Sequence, residues 1–192
     1  LRCVDSGITP ILCTTQNKSD DILIKIAKKF KIKYFRGSEK NKIFRWYNCA
    51  KSYKLRYFHT VDADDLYFDP VSIKKSIELA INKKADLVHP SKISRFGGAS
   101  EGYTFSLSGI KKLMLSLKTY SYKNINLFDT EMIDTFLENI KLKEYIFKGQ
   151  SYEYKDKIRF TLDYKDDFKM FKILFNKFGT YEKRKIINKY LS

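Results

Sequence analysis

The sequence predicts an α/β fold built on a mostly parallel, doubly wound central sheet with helices on both faces. Three observations predict it. Short apolar runs at residues 10–15, 32–35, 57–61 and 86–89 alternate with segments of helical periodicity, the pattern of βαβ units. The third run ends in clustered acids, Asp62, Asp64 and Asp65, at the strand end where open α/β sheets place ligand sites. The chain has 192 residues, 43% hydrophobic and 16% aromatic, with only 3 Pro and 8 Gly. That composition suits one domain with a real core, spanning 1–192, and argues against long linkers.

The first run, PILCTT at 10–15, reads as a buried strand. Ser19-Asp20-Asp21 then caps a helix whose buried stripe is expected at Ile22, Ile26, Ala27 and Phe30, with Lys25, Lys28 and Lys29 outward. A second strand at 32–35 is closed by Arg36-Gly37-Ser38. Ser38 is the expected N-cap of a helix over 39–54, with Ile43, Trp46, Tyr47, Ala50 and Tyr53 inward. The strand at 57–61 enters the acidic cluster, and Asp69-Pro70 opens a helix to about residue 82 by cap and first-turn proline. After the strand at 86–89 come a Ser- and Gly-rich loop (90–102), a strand (103–107) and a helix to 117 capped by Ser108. A polar, aromatic connector (120–127) leads to a helix started by Asp129-Thr130-Glu131, with Met132, Ile133, Phe136 and Leu137 on its apolar face. A strand at 143–147, a polar loop at 149–157 and a last strand at 158–162 follow. Helices at 166–178 and 181–190 close the chain. The less regular second half predicts strands and helices added at the edge of the sheet.

Charge and cysteine content narrow the classes. The formal net charge is +16, but its lysines are spread over the chain, and no helix-turn-helix, zinc-finger or RNA-recognition signature is visible. This argues against nucleic acid as a partner and for attraction of a small polyanion such as a nucleoside triphosphate. No apolar run approaches the roughly 18 residues of a membrane span, and no segment reads as a signal peptide. Cys3, Cys13 and Cys49 are odd in number and scattered, which predicts reduced thiols and a cytoplasmic location. The sequence begins Leu1-Arg2-Cys3 without an initiator Met, so a processed or partial chain is expected.

Carboxylates massed behind a strand have a common use, which is to hold a hard divalent cation and, through it, phosphate oxygens. Asp62-x-Asp64-Asp65 has that form. A second cluster, RFTLDYKDDF, repeats it: Asp163 stands where the last strand stops, and Asp166 and Asp167 fall in the first helical turn. There the helix dipole favours acids whatever the function, so these two read as structural. If the two strands are neighbours, Asp64 and Asp163 can share one Mg²⁺.

At this point the residues resemble a family. ILCTT with Asp20-Asp21, FRGS, the helix through Arg45, DTEM at 129–132 and RFTLDYKDDFKMFK are similar to the cytidylyltransferases of surface-polysaccharide synthesis. The likeness is to the spore-coat polysaccharide type and, more distantly, to acylneuraminate and 3-deoxy-octulosonate cytidylyltransferases. It runs from about residue 11 to 178. It implies a Rossmann-like nucleotide-diphospho-sugar transferase fold and transfer of CMP from CTP to a sugar or sugar acid. Pyrophosphate release, a Mg²⁺ requirement, a role in cell-surface glycan synthesis and a homodimer are implied with it. By the same resemblance Asp64 and Asp163 match the family's metal-binding aspartates. Thr14, Arg36, Gly37, Ser38 and Asp62 would lie by the nucleotide. The segment 97–103, with Gly98 and Tyr103, would border the sugar together with Asp129 and Glu131. Two departures stand out. The family's first strand and its Gly- and Arg-rich triphosphate loop have no counterpart here, because the sequence starts about where the second strand of such a fold begins. Loss of that strand would leave two inner sheet edges unpaired, and activity would then depend on residues before Leu1. Ala63-Asp64-Asp65-Leu66 also replaces the common Gly-Asp-x-Pro, and a backbone carrying Ala approaches a phosphate less closely.

Two other readings compete. VDADD resembles the DxD region of inverting glycosyltransferases, with Asp62 and Asp64 on a Mn²⁺ or Mg²⁺ and Glu131 as general base; RFTLDYKDDF has no role in that reading. A non-catalytic binding domain of the same fold is the third. His59 and Trp46 read as sheet-face and core residues, His89 as a pocket residue, and Tyr152 and Tyr154 as a contact for a second copy.

Overall fold

A computed structural model of the chain describes residues 1–90, 102–117, 129–148, 160–179, 182 and 184–191. The elements are α1 (Arg2–Asp5), β1 (Ile11–Thr15), a 3-10 turn (Lys18–Asp20), α2 (Asp21–Lys29), β2 (Lys33–Gly37), α3 (Lys42–Ser52), β3 (Tyr57–His59), α4 (Pro70–Lys83), β4 (Leu87–His89), β5 (Thr104–Ser106), α5 (Leu107–Ser116), α6 (Asp134–Leu137), β6 (Glu144–Ile146), α7 (Lys165–Phe178) and α8 (Arg184–Leu191). The strands form a two-stranded sheet, β1-β2, and a four-stranded sheet ordered β3-β5-β4-β6. β1 and β2 are parallel, as are β4 and β6, while β5 runs antiparallel to both β3 and β4. β5 therefore enters between two strands, where the sequence predicts additions only at an edge. A three-residue strand gives pattern reasoning too little sequence in which to read a partner.

The alternation of side chains places helices on both faces of the larger sheet. Leu87 joins Phe105, Ile43, Ile110 and Leu113 in a core closed by α3 and α5. Its neighbour Val88 points the other way, to Ala80, Ala85 and Phe147 against α4. Phe105 is fully buried between Phe58, Trp46 and Tyr103 at ring separations of 5.9, 6.4 and 6.1 Å. Each such side chain contributes about 1.5–3 kcal/mol. A third cluster, Tyr67, Phe160, Phe171, Leu174 and Ile187, lies under the loop that follows β3.

Five local expectations are corrected. In α2 the buried residues are Ile24 and Ala27, whereas Ile22, Ile26 and Phe30 are exposed. That helix is apolar around most of its circumference, so periodicity alone leaves the sheet-facing stripe open. α3 begins at Lys42 with Asn41 as N-cap, its Oδ1 accepting from Phe44 N, while Ser38 Oγ accepts from Asn41 N one turn earlier. α5 is capped by Ser106, whose Oγ accepts from Gly109 N, and not by Ser108. Residues 160–162 are not a strand, and 158–159 lie outside the described residues. The remainder of the 129–137 helix shortens to α6, with Met132 exposed. The Asp69 cap and first-turn Pro70 of α4 are as expected, Asp69 Oδ1 accepting from Val71 N at 3.0 Å. The loop at 90–102 (except Pro90 and Gly102), the connector at 120–127 and the loop at 149–157, with Tyr152 and Tyr154, lie outside the described residues. Among the described residues no helix is long and apolar enough to cross a membrane.

Candidate active site

The loop after β3 carries the acids, and its own aromatic residues anchor it. Tyr67 stacks on Phe171 at 5.9 Å and meets Phe160 edge-on at 6.3 Å, which ties the loop to α7. Arg2 seals the far side: Nε donates to Phe68 O at 2.7 Å, Nη1 donates to Glu182 O at 2.9 Å, and the guanidinium lies over the Tyr67 and Phe68 rings. This packing brings the two acidic segments together. Leu162 N donates to Asp64 O at 3.2 Å, so Asp163 follows directly on the residue bonded to Asp64. Asp163 is held from its other side by α7, whose Asp167 Oδ2 accepts from Asp163 N at 3.0 Å and Tyr164 N at 2.8 Å. Thr161 Oγ1 donates to Asp163 Oδ2 at 3.0 Å. Asp167 is a capping residue, and Asp166 pairs with Lys169 in solvent, as the sequence predicts for both. Asp65 is buried at 2% exposure, which leaves Asp64 the more accessible carboxylate of the pair.

Asp62 has a partner that the sequence does not single out. Lys42 Nζ, in the first turn of α3, stands 3.3 Å from Asp62 Oδ1 and 3.1 Å from Glu131 Oε1. Burial works against the Lys42 charge, but the Asp62 and Glu131 carboxylates outweigh it and raise its pKa above the ordinary value. Glu131 reaches this point because its segment docks on the start of α3. Thr130, fully buried, accepts from Ile43 N at 3.2 Å, and Thr130 N donates to Lys40 O at 3.2 Å. Asp129 Oδ1 accepts from Glu131 N at 2.9 Å and fixes the turn. In a chain with 38 Lys and Arg, nothing in the pattern marks Lys42 out.

Of the other residues expected at the nucleotide, Thr14 and Arg36 are engaged with the turn that follows β1. Asp20 Oδ2 accepts from Thr14 Oγ1 at 2.6 Å, Thr15 Oγ1 at 2.6 Å and Thr15 N at 3.0 Å. Arg36 donates from Nε to Thr15 O, from Nη2 to Asn17 O and from Nη1 to Asp21 Oδ1, bracing the turn after β1. Gly37 leaves no space for a side chain, since a Cβ there would stand 2.9 Å from the Phe35 ring and 3.0 Å from Arg45 Cγ. Arg36, Gly37 and Ser38 line a cavity of about 850 Å³ with Asn17, Phe44 and Asn48, within the size range of ligand pockets.

The donors on Asp20 make a prediction about acid stability. The Thr14 hydroxyl first, then the Thr15 hydroxyl and N–H, lower its pKa from 3.8 to about 2, and Arg36 adds to them. A depressed carboxylate stabilises the fold above its unfolded pKa and loses that contribution as pH falls through the folded value. Asp20→Asn is therefore expected to lower Tm at neutral pH, with the gap to the wild type closing as pH falls from 3.8 toward 2. Tm measured across that range checks it; a gap independent of pH would contradict the assignment.

Of the residues expected at the sugar, Gly98 lies outside the described residues. Tyr103 sits at the C-terminal edge of β3, where Thr60 N donates to Tyr103 O at 2.9 Å and Tyr103 N donates to Thr60 Oγ1 at 2.9 Å. Its hydroxyl donates to Asp134, and its ring meets His89 edge-on. Gly102, at φ +64°, passes so close to Thr60 that a Cβ would fall 1.7 Å from its carbonyl oxygen. His89 pairs through Nε2 with Glu144 at 2.8 Å. His59 Nδ1 meets Thr104 Oγ1 at 2.7 Å within the sheet. The sites at Asp62, Asp64, Asp163 and Glu131 are thus joined through Lys42 and the Asp64–Leu162 bond, while Thr14 and Arg36 brace the adjacent turn. Among the described residues, no group of three or more His, Cys, Asp or Glu side chains gathers as a metal cluster. Asp64 and Asp163, the carboxylates expected to bind a metal, stand on segments joined by the Leu162–Asp64 main-chain bond.

The fold so described is a Rossmann-like α/β fold. It superposes on a cytidylyltransferase from Leptospira borgpetersenii serovar Hardjo-bovis with a TM-score of 0.75 and 20% sequence identity, over 94% of this chain and 74% of that one. In sequence the chain is 27% identical over 170 residues to an uncharacterized protein of Methanocaldococcus jannaschii, a match covering 84% of this chain. The chain spans 63% of that relative's length. No family model matches the chain.

Proposed function

We propose that the protein is a cytidylyltransferase, transferring CMP from CTP to a sugar or sugar acid for cell-surface glycan synthesis and releasing pyrophosphate. The observation that carries this reading is the hydrogen bond from Leu162 N to Asp64 O, which brings two separate acidic segments to one place. That the same α/β scaffold occurs in a cytidylyltransferase supports it. The acceptor hydroxyl forms a bond to the α-phosphorus of CTP, the bond to the bridging oxygen of the β-phosphate breaks, and the hydroxyl proton passes to solvent or a nearby base. Asp64 and Asp163 would hold Mg²⁺, which supplies charge neutralisation at the α-phosphate. The chain's own contribution is positional. Tyr67 and Asp167 fix the two aspartates from behind, and most of the rate enhancement in such transfers comes from orientation and preset charge.

The test is release of pyrophosphate by the full-length protein from CTP and Mg²⁺ with a panel of sugars and sugar acids. Acceptor-dependent pyrophosphate is the expected result. Sugar release from a UDP- or GDP-sugar without pyrophosphate would replace this reading with glycosyl transfer. Inactivity in both assays, with no nucleotide-dependent rise in Tm, would replace it with a binding role.

A further inference from the structure

A lysine in the first helical turn works against the helix dipole, which favours negative charge there. Lys42 nevertheless occupies the first position of α3, and its side chain is only 14% exposed. Its Nζ bridges two carboxylates that arrive from distant parts of the chain, Asp62 at 3.3 Å and Glu131 at 3.1 Å, and its ammonium faces the Trp46 ring. Two acids facing one point would otherwise repel each other or recruit a cation. The lysine meets that demand from within the chain.

We propose that Lys42 is a built-in cation of this site: a positioning residue that holds Asp62 and Glu131 together and keeps them from binding a divalent ion. The inference rests on the reading of Asp64 and Asp163 as the metal pair, and it confines the metal to them. An ion of magnesium's size takes its oxygens at about 2.0–2.1 Å, so the two carboxylates would need to close by roughly 1 Å to take one in place of the ammonium. Both are partly exposed, Asp62 at 47% and Glu131 at 74%, so no buried packing opposes such a shift. Lys42 also explains why Asp62 and Asp64, two residues apart, take different tasks. Asp62 is paired with Lys42, and Asp64 is left for the ligand.

Mn²⁺ alone, titrated without nucleotide and followed by electron paramagnetic resonance, tests this on the full-length protein. Lys42→Gln is expected to gain one Mn²⁺ site at least about tenfold tighter than any the wild type shows at these carboxylates. Lys42→Arg, which keeps the charge, should behave as the wild type. Glu131→Gln added to Lys42→Gln should abolish the gain. Circular dichroism checks that all three variants are folded. A Lys42→Gln variant that is folded and binds Mn²⁺ as the wild type does would overturn the proposal, as would a gain that survives Glu131→Gln. The readout needs no catalysis, so it stands apart from the pyrophosphate assay: an inactive protein can still gain the site, and an active one can fail to.

Discussion

Asp64→Asn is expected to lower pyrophosphate release by at least about a thousandfold while leaving Tm close to that of the wild type. The two halves of the result have separate causes. Asp64 enters the fold through its main chain, its carbonyl accepting from Leu66 N at 3.1 Å and Leu162 N at 3.2 Å. Asparagine keeps both bonds and the side-chain volume, and a substitution away from buried networks stays within about 0.5 kcal/mol. The carboxylate charge is what disappears, and with it one of the two anionic donors proposed for the metal. Asp163→Asn should follow the same pattern in turnover, with a small cost in stability because Asp163 Oδ2 also accepts from Thr161. Single-turnover rates and thermal melts on the same preparations check both. A folded Asp64→Asn protein with normal turnover would remove Asp64 from the metal pair.

Gly109→Ala is expected to have the largest effect on stability, a loss of roughly 3 kcal/mol or more. Gly109 lies in the first turn of α5, where the helix crosses the start of β4. A Cβ there would stand 2.1 Å from the Asp86 carbonyl oxygen and 2.7 Å from its carbon. Neither side can give way. Asp86 O accepts from Ser106 N at 3.0 Å, and the Asp86 side chain accepts from Lys112 Nζ at 2.6 Å and Lys143 N at 3.1 Å, joining α5, β4 and β6. Burial opposes ionisation of that carboxylate, yet the Lys112 ammonium and the Lys143 N–H hold its pKa below the ordinary value. The helix is equally fixed, since Gly109 N donates to Ser106 Oγ as its cap. Moving α5 away would open the Leu87–Phe105–Ile110 core. Chemical denaturation should give a lower midpoint for Gly109→Ala; a midpoint within error of the wild type would mean that the close approach of α5 to β4 is absent in solution.

How much was legible differs from element to element. The Asp69-Pro70 start of α4 was legible because cap and proline act on the same residues that name them. The start of α3 was not, since Ser38 and Asn41 are both good caps three residues apart, and the choice fell to Thr130, which accepts from Ile43 N across the chain. The inward face of α2 was not legible either. Ile22, Leu23, Ile24, Ile26, Ala27 and Phe30 spread over more than half of the helix circumference, and only its packing on β2 selects Ile24 and Ala27. Residues 160–162 carry a strand-like run but make an aromatic anchor, Phe160 against Tyr67, because packing under the loop after β3 outweighs a short stretch of β propensity.

By itself the sequence determined the alternating α/β class, the acids behind β3 and the second acidic segment near the C-terminal end, because these follow from side-chain period and from turn and cap chemistry within a few residues. Only the tertiary structure decided that β5 would enter between β3 and β4, that Leu162 would bond Asp64, and that Lys42 would stand between Asp62 and Glu131. Each of those joins residues tens of positions apart. Such contacts depend on how whole elements pack, and nothing local in the chain records them.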